Sequence, residues 1–220
     1  MKRFLSFFTA LLVSATGGSS QAVDSWIVLF DGKDLSEWHA YGTGAQPDWV
    51  VENGLLSTKP KGRDLATNRM FTDFELVFEW RVSPGGNSGV MFRVEELPAE
   101  SGTRSGPEYQ LLDDSRHRDG KNPRTSTGAL YALYAPAQPA TKPAGEWNES
   151  RMRVQGARVQ FWLNGMLTVE ATIGSAEWTT RVAASKFATA PRYGRSASGC
   201  LVLQDHGDKV WFKRIRVRPL

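Results

Sequence analysis

Two short stretches of this chain combine strand-like alternation with side chains that can move protons or hold polar ligands. In Glu108-Tyr109-Gln110-Leu111-Leu112 a period of two places Glu108 and Gln110 on one face and Tyr109 on the other. Leu201-Val202-Leu203-Gln204 runs directly into Asp205, His206 and Asp208, so an apolar strand ends in a polar cluster. Carboxylates and imidazoles are frequent general acids and bases. The same residues also fit a solvated strand face and an ordinary turn, and the alternation leaves both readings open.

Familiar catalytic signatures do not narrow the choice. The sequence has no Gly-x-Ser-x-Gly elbow, no phosphate-binding loop, no dinucleotide fingerprint and no His-Glu-x-x-His pair. Its three histidines and single cysteine are poor material for a zinc site built from those ligands. The Glu-x-Asp-x-x-Glu strand of two-carboxylate jelly-roll glucanases is also absent.

The elements that must position these residues read as strands. Phe74, Leu76, Phe78 and Trp80 alternate with Glu75 and Glu79, the pattern of a half-buried strand. Asn53-Gly54 and Asn164-Gly165 each join two such runs, and both residues tolerate the positive φ of a type I′ turn. Further strands are expected near 26–30, 88–94, 107–112, 128–134, 149–155, 199–204 and 210–217. A short helix is expected over 176–187. Segments 97–107, 114–127 and 135–146 read as loops that can gather at one rim or over one sheet face. Many strands, frequent turns and almost no helix predict an all-β, antiparallel two-sheet sandwich or jelly roll.

Composition agrees with one globular unit: 220 residues, 40% hydrophobic and 23% charged, with eight Trp and eleven Phe for a core. Lys2 and Arg3, an apolar run from Phe4 to Val13 and the small residues up to Ala22 have the form of a signal peptide over residues 1–22. The mature domain is then expected over 23–220, in the periplasm or secreted. The apolar run is too short to span a bilayer. A net charge of +4, with basic residues interspersed among acids, gives no basis for nucleic-acid binding. Cys200 stands alone, so no intramolecular disulfide forms.

A larger set of ordered matches then becomes informative. It comprises Leu29-Phe30-Asp31-Gly32-Lys33-Asp34-Leu35-Ser36-Glu37-Trp38, Gly86-Asn87-Ser88-Gly89-Val90-Met91-Phe92-Arg93 and Glu108-Tyr109-Gln110-Leu111-Leu112-Asp113. It continues with Gly128-Ala129-Leu130-Tyr131, Pro143-Ala144-Gly145-Glu146-Trp147-Asn148, Trp162-Leu163-Asn164-Gly165, Ser185-Lys186-Phe187 and Leu203-Gln204-Asp205-His206-Gly207. In these the chain resembles the 3-keto-disaccharide hydrolases over essentially all of residues 23–220. The resemblance implies a concanavalin A-like jelly roll of the lectin and glucanase type, and a hydrolase acting on sugars oxidised at C3.

A C3 ketone makes the C2 proton acidic, so such a substrate can lose its C1 substituent by elimination and then take up water. That route needs a base near C2, donors at the C3 oxygen and an acid for the leaving group. Glu108 and His206 are the expected proton-transfer residues. Asn87, Arg93, Gln110, Lys186, Gln204 and Asp205 are expected as polar substrate contacts, and Tyr109, Tyr131, Tyr134 and Trp147 as aromatic faces. A divalent cation held by Glu108, Asp113, Asp205 or His206 is a further option, without a recognised ligand spacing. The alternative function is a noncatalytic lectin-like carbohydrate-binding module on the same fold.

Overall fold

The computed structural model describes residues 26–59, 62–97 and 99–220; the expected signal peptide lies outside them. The strands in chain order are β1 (Ile27–Phe30), β2 (Trp38–Ala40), β3 (Val50–Glu52), β4 (Leu55–Ser57), β5 (Leu65–Phe71), β6 (Phe74–Val82) and β7 (Asn87–Val94). They continue with β8 (Glu108–Leu112), β9 (Asn148–Gln155), β10 (Arg158–Leu163), β11 (Met166–Thr172), β12 (Gly199–Leu203) and β13 (Val210–Pro219). Among the described residues there is one α-helix, α1 (Ala176–Ala183); Ser175 precedes it, and its hydroxyl accepts from the Trp178 N–H at 3.1 Å and so caps the first turn.

All strand pairs among the described residues are antiparallel. The larger sheet runs β11-β10-β9-β6-β13-β4-β3, with β1 also on β13, and the smaller runs β2-β5-β12-β7-β8. Between them lies an aromatic core. Phe74, Phe78 and Trp80 from β6 and Phe212 from β13 are buried with Phe92 from β7 and Tyr109 from β8. Each buried aromatic of this kind contributes about 2–3 kcal/mol of transfer free energy. Both Asn-Gly pairs form their hairpins, with φ of 52° and 74° at Asn53 and Gly54 and of 49° and 82° at Asn164 and Gly165.

Three departures from the sequence reading have physical causes. Segment 128–134 is not a strand. It follows the open edge of β8 through Gly128 N–H to Gln110 O, Gln110 N–H to Ala129 O and Tyr131 N–H to Glu108 O, then turns back at Ala132 with φ 62°. The helix stops at Ala183 instead of continuing to 187, because Ala184 and Ser185 close it with bonds to Thr180 and Val182. Strands β2 and β5 were not foreseen. Trp38-His39-Ala40 is too short to show a period, and β5 carries exposed Asn68, Arg69 and Met70 within a register irregularity against β12.

Arg93 is displaced by a bulge. Between β7 and β12, Met91 opposes Val202 and Val94 opposes Cys200, so β7 spends one residue more than β12 over this span. Arg93 takes up the excess with φ 50° and leaves the face it would otherwise share with Gly89 and Met91. Only 6% exposed, it donates to Thr72 O (2.8 Å), Gly156 O (2.9 Å) and Asp73 Oδ1 (3.0 Å). It therefore ties β7 to the turn before β6 and to the β9–β10 turn of the other sheet. Replacing Arg93 with Met leaves three acceptors at that end of the sandwich without their charged donor. We expect a loss of about 2 kcal/mol in unfolding free energy, read from the denaturant midpoint. An unchanged midpoint would remove this latch from the account.

Candidate active site

Seven side chains line a small cavity of about 60 Å³ on the outer face of the smaller sheet: Asn87, Glu108, Gln110, Tyr131, Lys186, Gln204 and His206. Strand order explains why they meet. β7 lies between β12 and β8, so Asn87 at its start, Gln204 just beyond β12 and Glu108 and Gln110 on β8 become neighbours. The Gln204 N–H donates to Gly89 O at 2.9 Å and holds that register.

Glu108 is buried, with 3% exposure. Its carboxyl lies across the β7 backbone at Gly89, where a Cβ would stand 2.1 Å from Oε1 and 2.7 Å from Cδ. Any side chain at 89 would occupy the carboxyl's place. With the Gln110 amide turned to suit its neighbours, its nitrogen donates to Ser88 O (3.2 Å) and Glu108 Oε1 (3.1 Å). Burial pushes the Glu108 pKa up to about 8; Lys186 opposes the shift, while the nearby Asp64 and Asp119 carboxylates add to it.

The cover comes from two loops. Tyr131 donates through its hydroxyl to Asp119 Oδ2 at 3.0 Å, and the Lys186 ammonium sits 4.2 Å from the Tyr131 ring centroid. Behind Lys186, Phe187 stacks on Tyr193 (4.0 Å), Tyr193 on Trp178 (6.0 Å) and Trp178 on Tyr134 (6.3 Å). This column props the segment after α1 against the sheet. Gln204 Oε1 is buried with no hydrogen-bond partner among the described residues, so the cavity wall presents an unsatisfied acceptor.

At the mouth, His206 is exposed and its Nδ1 lies 3.5 Å from Asp208 Oδ2. Beside it, Asp205 takes the Gly207 N–H on Oδ1 and gives its own N–H to Asp64 Oδ1, both at 2.8 Å. Asp205 thus shapes the turn and does not line the cavity. Burial raises Asp64 to about 6.

Four further expected contacts are elsewhere, each occupied by another role. Arg93 is the bulge latch described above. Tyr109 points into the core, where its hydroxyl donates to Trp162 O (3.1 Å) and accepts from Ser150 Oγ (3.0 Å). Tyr134 has Trp178 against its ring and the Arg181 guanidinium 4.4 Å from its centroid. Trp147 lies on the larger sheet under Lys213 (4.1 Å) and Arg81 (4.9 Å). Of the three expected loops, 114–127 reaches the site; 135–146 instead bonds to Asn148, Asn164 and Thr168 of the larger sheet.

Asp64, Asp119 and His117 are the residues the sequence reading missed; Asp208 was named in the polar cluster but given no role. Asp119 follows a polar run without periodicity, and Asp64 precedes a strand that was not recognised. The scarcity of histidine was a usable signal, since two of the three in the chain meet here with ring centroids 5.9 Å apart.

A larger groove of about 480 Å³ on the other sheet, bordered by Glu79, Glu149 and Arg214, lacks comparable chemistry. Burial there would raise Glu79, but hydrogen bonds from Lys213 and Arg214 outweigh it and hold the carboxyl below its usual range.

Relatives agree with this placement of chain and fold. A 3-keto-disaccharide hydrolase of Bacteroides thetaiotaomicron is 32% identical over 90% of this chain and 79% of its own. A solved structure from Parabacteroides distasonis, assigned provisionally to the glycosyl hydrolases, superposes with a TM-score of 0.83 at 34% identity, covering 89% of this chain and 94% of that one. A galectin-like protein of Bacillus subtilis, 13% identical with a TM-score of 0.57 over 88% of this chain and 94% of its own, shares the fold alone. The model of the 3-keto-alpha-glucoside-1,2-lyase-like domain matches residues 25–218, and the chain belongs to that family.

Proposed function

We propose that this protein is an exported glycoside hydrolase that cleaves 3-keto-glycosides, including 3-keto-disaccharides, by C2 deprotonation, elimination and hydration. Its family and its relatives support carbohydrate hydrolysis. The keto form of the sugar, the route and export from the signal-like residues 1–22 are our reading. One observation carries it: a desolvated carboxyl, Glu108, in a polar cavity with Lys186 and three amides in its lining.

With a pKa near 8, Glu108 is a stronger base than an ordinary carboxylate of about 4.3, yet still ionises close to neutral pH. It takes the C2 proton, and the electron pair moves onto the C3 oxygen. Lys186 and the Asn87 amide are the donors available to that oxygen as it gains charge, while the Gln110 amide holds Glu108. The C1–O bond then breaks, and the departing oxygen takes a proton from water at the mouth, beside His206. Water adds across the new C1–C2 double bond, hydroxyl to C1 and proton to C2, giving net hydrolysis without an oxocarbenium-like transition state. At about 60 Å³ the cavity takes the reacting C2–C3 edge and leaves the rest of the glycoside outside. Gln204 Oε1 offers a sugar hydroxyl the acceptor it would need. A lectin-like module would gain nothing from a buried carboxyl with a displaced pKa, and this favours the enzyme.

Glu108→Gln should lower kcat on 3-keto-disaccharides at least about 100-fold. For the wild type, kcat/KM should climb as pH rises through about 8, because only the ionised carboxylate accepts the proton. Stability runs the other way. Between the ordinary carboxyl value and about 8 the unfolded chain has lost a proton the folded chain keeps, so folding stability declines with pH over that window. Glu108→Gln should therefore raise Tm at pH 8 and leave it nearly unchanged at pH 4. A variant equally active, or one with no pH-dependent gain in Tm, would exclude Glu108 as the base.

Heavy water tests the route itself. Elimination and hydration place deuterium at C2 of the released 3-keto sugar beyond that acquired by product alone or with Glu108→Gln protein. Product labelled only to the control level would point to direct attack at C1, and equal cleavage of unoxidised glycosides would overturn the substrate assignment.

A further inference from the structure

We infer that His117, His206 and Asp208 form a site for a divalent first-row transition cation at the mouth of the cavity. One ligand atom from each residue lies within 4.8 Å of the others. Two imidazoles and one carboxylate suit zinc, cobalt or manganese better than calcium or magnesium, whose shells are built from oxygen. Three protein ligands leave coordination positions open, the arrangement of a cation that acts on a ligand rather than one buried for structure.

The two turns that carry the ligands are fixed independently of any cation. The His117 N–H donates to Asp113 O at 3.0 Å, while the Asp113 carboxylate takes Gly85 N–H (2.7 Å), Ser115 N–H (3.0 Å) and Ser115 Oγ (2.6 Å). Asp208 Oδ2 accepts from Asn87 N–H at 3.1 Å, and Asp208 O accepts from Thr58 Oγ1 at 2.8 Å. These bonds supply the outer contacts that orient metal ligands. They also revise the ligands expected from the sequence. His206 keeps that role, but Asp113 and Asp205 are committed to turn amides, and Glu108 lies deeper, against Gly89.

Asp119 N–H donates to His117 Nδ1 at 3.2 Å, a weak contact. Metal–imidazole bonding exceeds it readily. Because His206 lines the cavity as well as this cluster, a cation held here stands beside the cavity. Its role, polarising the C3 oxygen while Glu108 takes the C2 proton, rests on the proposed reaction. The cation site does not.

The test uses chelator-treated wild-type protein, titrated with Co²⁺ and followed by visible absorption and by calorimetry. One saturable site is expected, with affinity weakened at least tenfold in His117→Ala and in Asp208→Ala. Far-UV circular dichroism on each variant distinguishes lost ligands from lost fold, and His117→Gln provides a second, gentler substitution. No saturable binding, or binding indifferent to all three substitutions, would overturn the site. Cobalt bound as expected but chelated enzyme fully active on 3-keto-disaccharides would overturn the catalytic role alone. Cobalt bound as expected with no 3-keto substrate cleaved under any condition would uphold the site and remove the proposed function.

Discussion

Burial of the Glu108 carboxyl is the constraint on which the rest of the site depends. A carboxylate moved out of water without a matched cation lowers its charge by holding its proton, and Glu108 does so up to about pH 8. Two features permit this. Gly89 has no side chain, so the carboxyl can lie on the neighbouring backbone. Lys186 is near enough to oppose the shift but gives its ammonium to the face of Tyr131 and does not pair directly with Glu108. A direct ion pair would pull the carboxyl down towards the state of Glu75 and Glu79. The site is poised because its charges are incompletely matched.

β8 is also a core strand, and its alternation keeps the two duties apart. Tyr109 and Leu111 face the larger sheet, and the Tyr109 hydroxyl reaches Trp162 O and Ser150 Oγ across the sandwich. That anchor fixes the height of β8, hence of Glu108 and Gln110 on its other side. Loops supply what the strands cannot. The stacked column of Phe187, Tyr193, Trp178 and Tyr134 turns a short helix of eight residues into a rigid support for Lys186. Tyr134 serves the site from behind, as packing, and its ring has no face left for a sugar.

What was legible in the sequence follows the same physics. Period-two patterns and Asn-Gly turns report local backbone geometry, so β6, β8 and both hairpins could be read directly. The cavity-lining set was accessible because four of its members, Glu108, Gln110, Gln204 and His206, sit on or just beyond recognisable strands. Arg93 was misplaced because a bulge breaks parity, and nothing in Val90-Met91-Phe92-Arg93 announces one. Trp147 and Tyr134 were misplaced because an aromatic residue reads alike whether its face meets a sugar, a tryptophan or an arginine. Asp119 and His117 lie in a loop whose path is set by bonds to Asp113 and Asn122, which no periodicity encodes.

Carboxyl groups show most directly how position decides chemistry in this fold. On the larger sheet, burial would raise Glu75, yet Arg151 at 2.7 Å and Arg218 at 3.1 Å hold it ionised below its usual range. At the smaller sheet, buried Glu108 and half-buried Asp64 have no cation in hydrogen-bond contact, and desolvation raises both, to about 8 and about 6. The first arrangement stabilises a sheet face and leaves the carboxylate a poor base, since its proton affinity has been spent on arginine. The second destabilises the fold at alkaline pH but leaves a carboxyl that can exchange a proton near neutrality. Glu108 is the one of these that also faces a cavity with donors and an unsatisfied acceptor in its wall. In the proposed reaction Glu108 is therefore the carboxyl of this sandwich best placed to take the C2 proton.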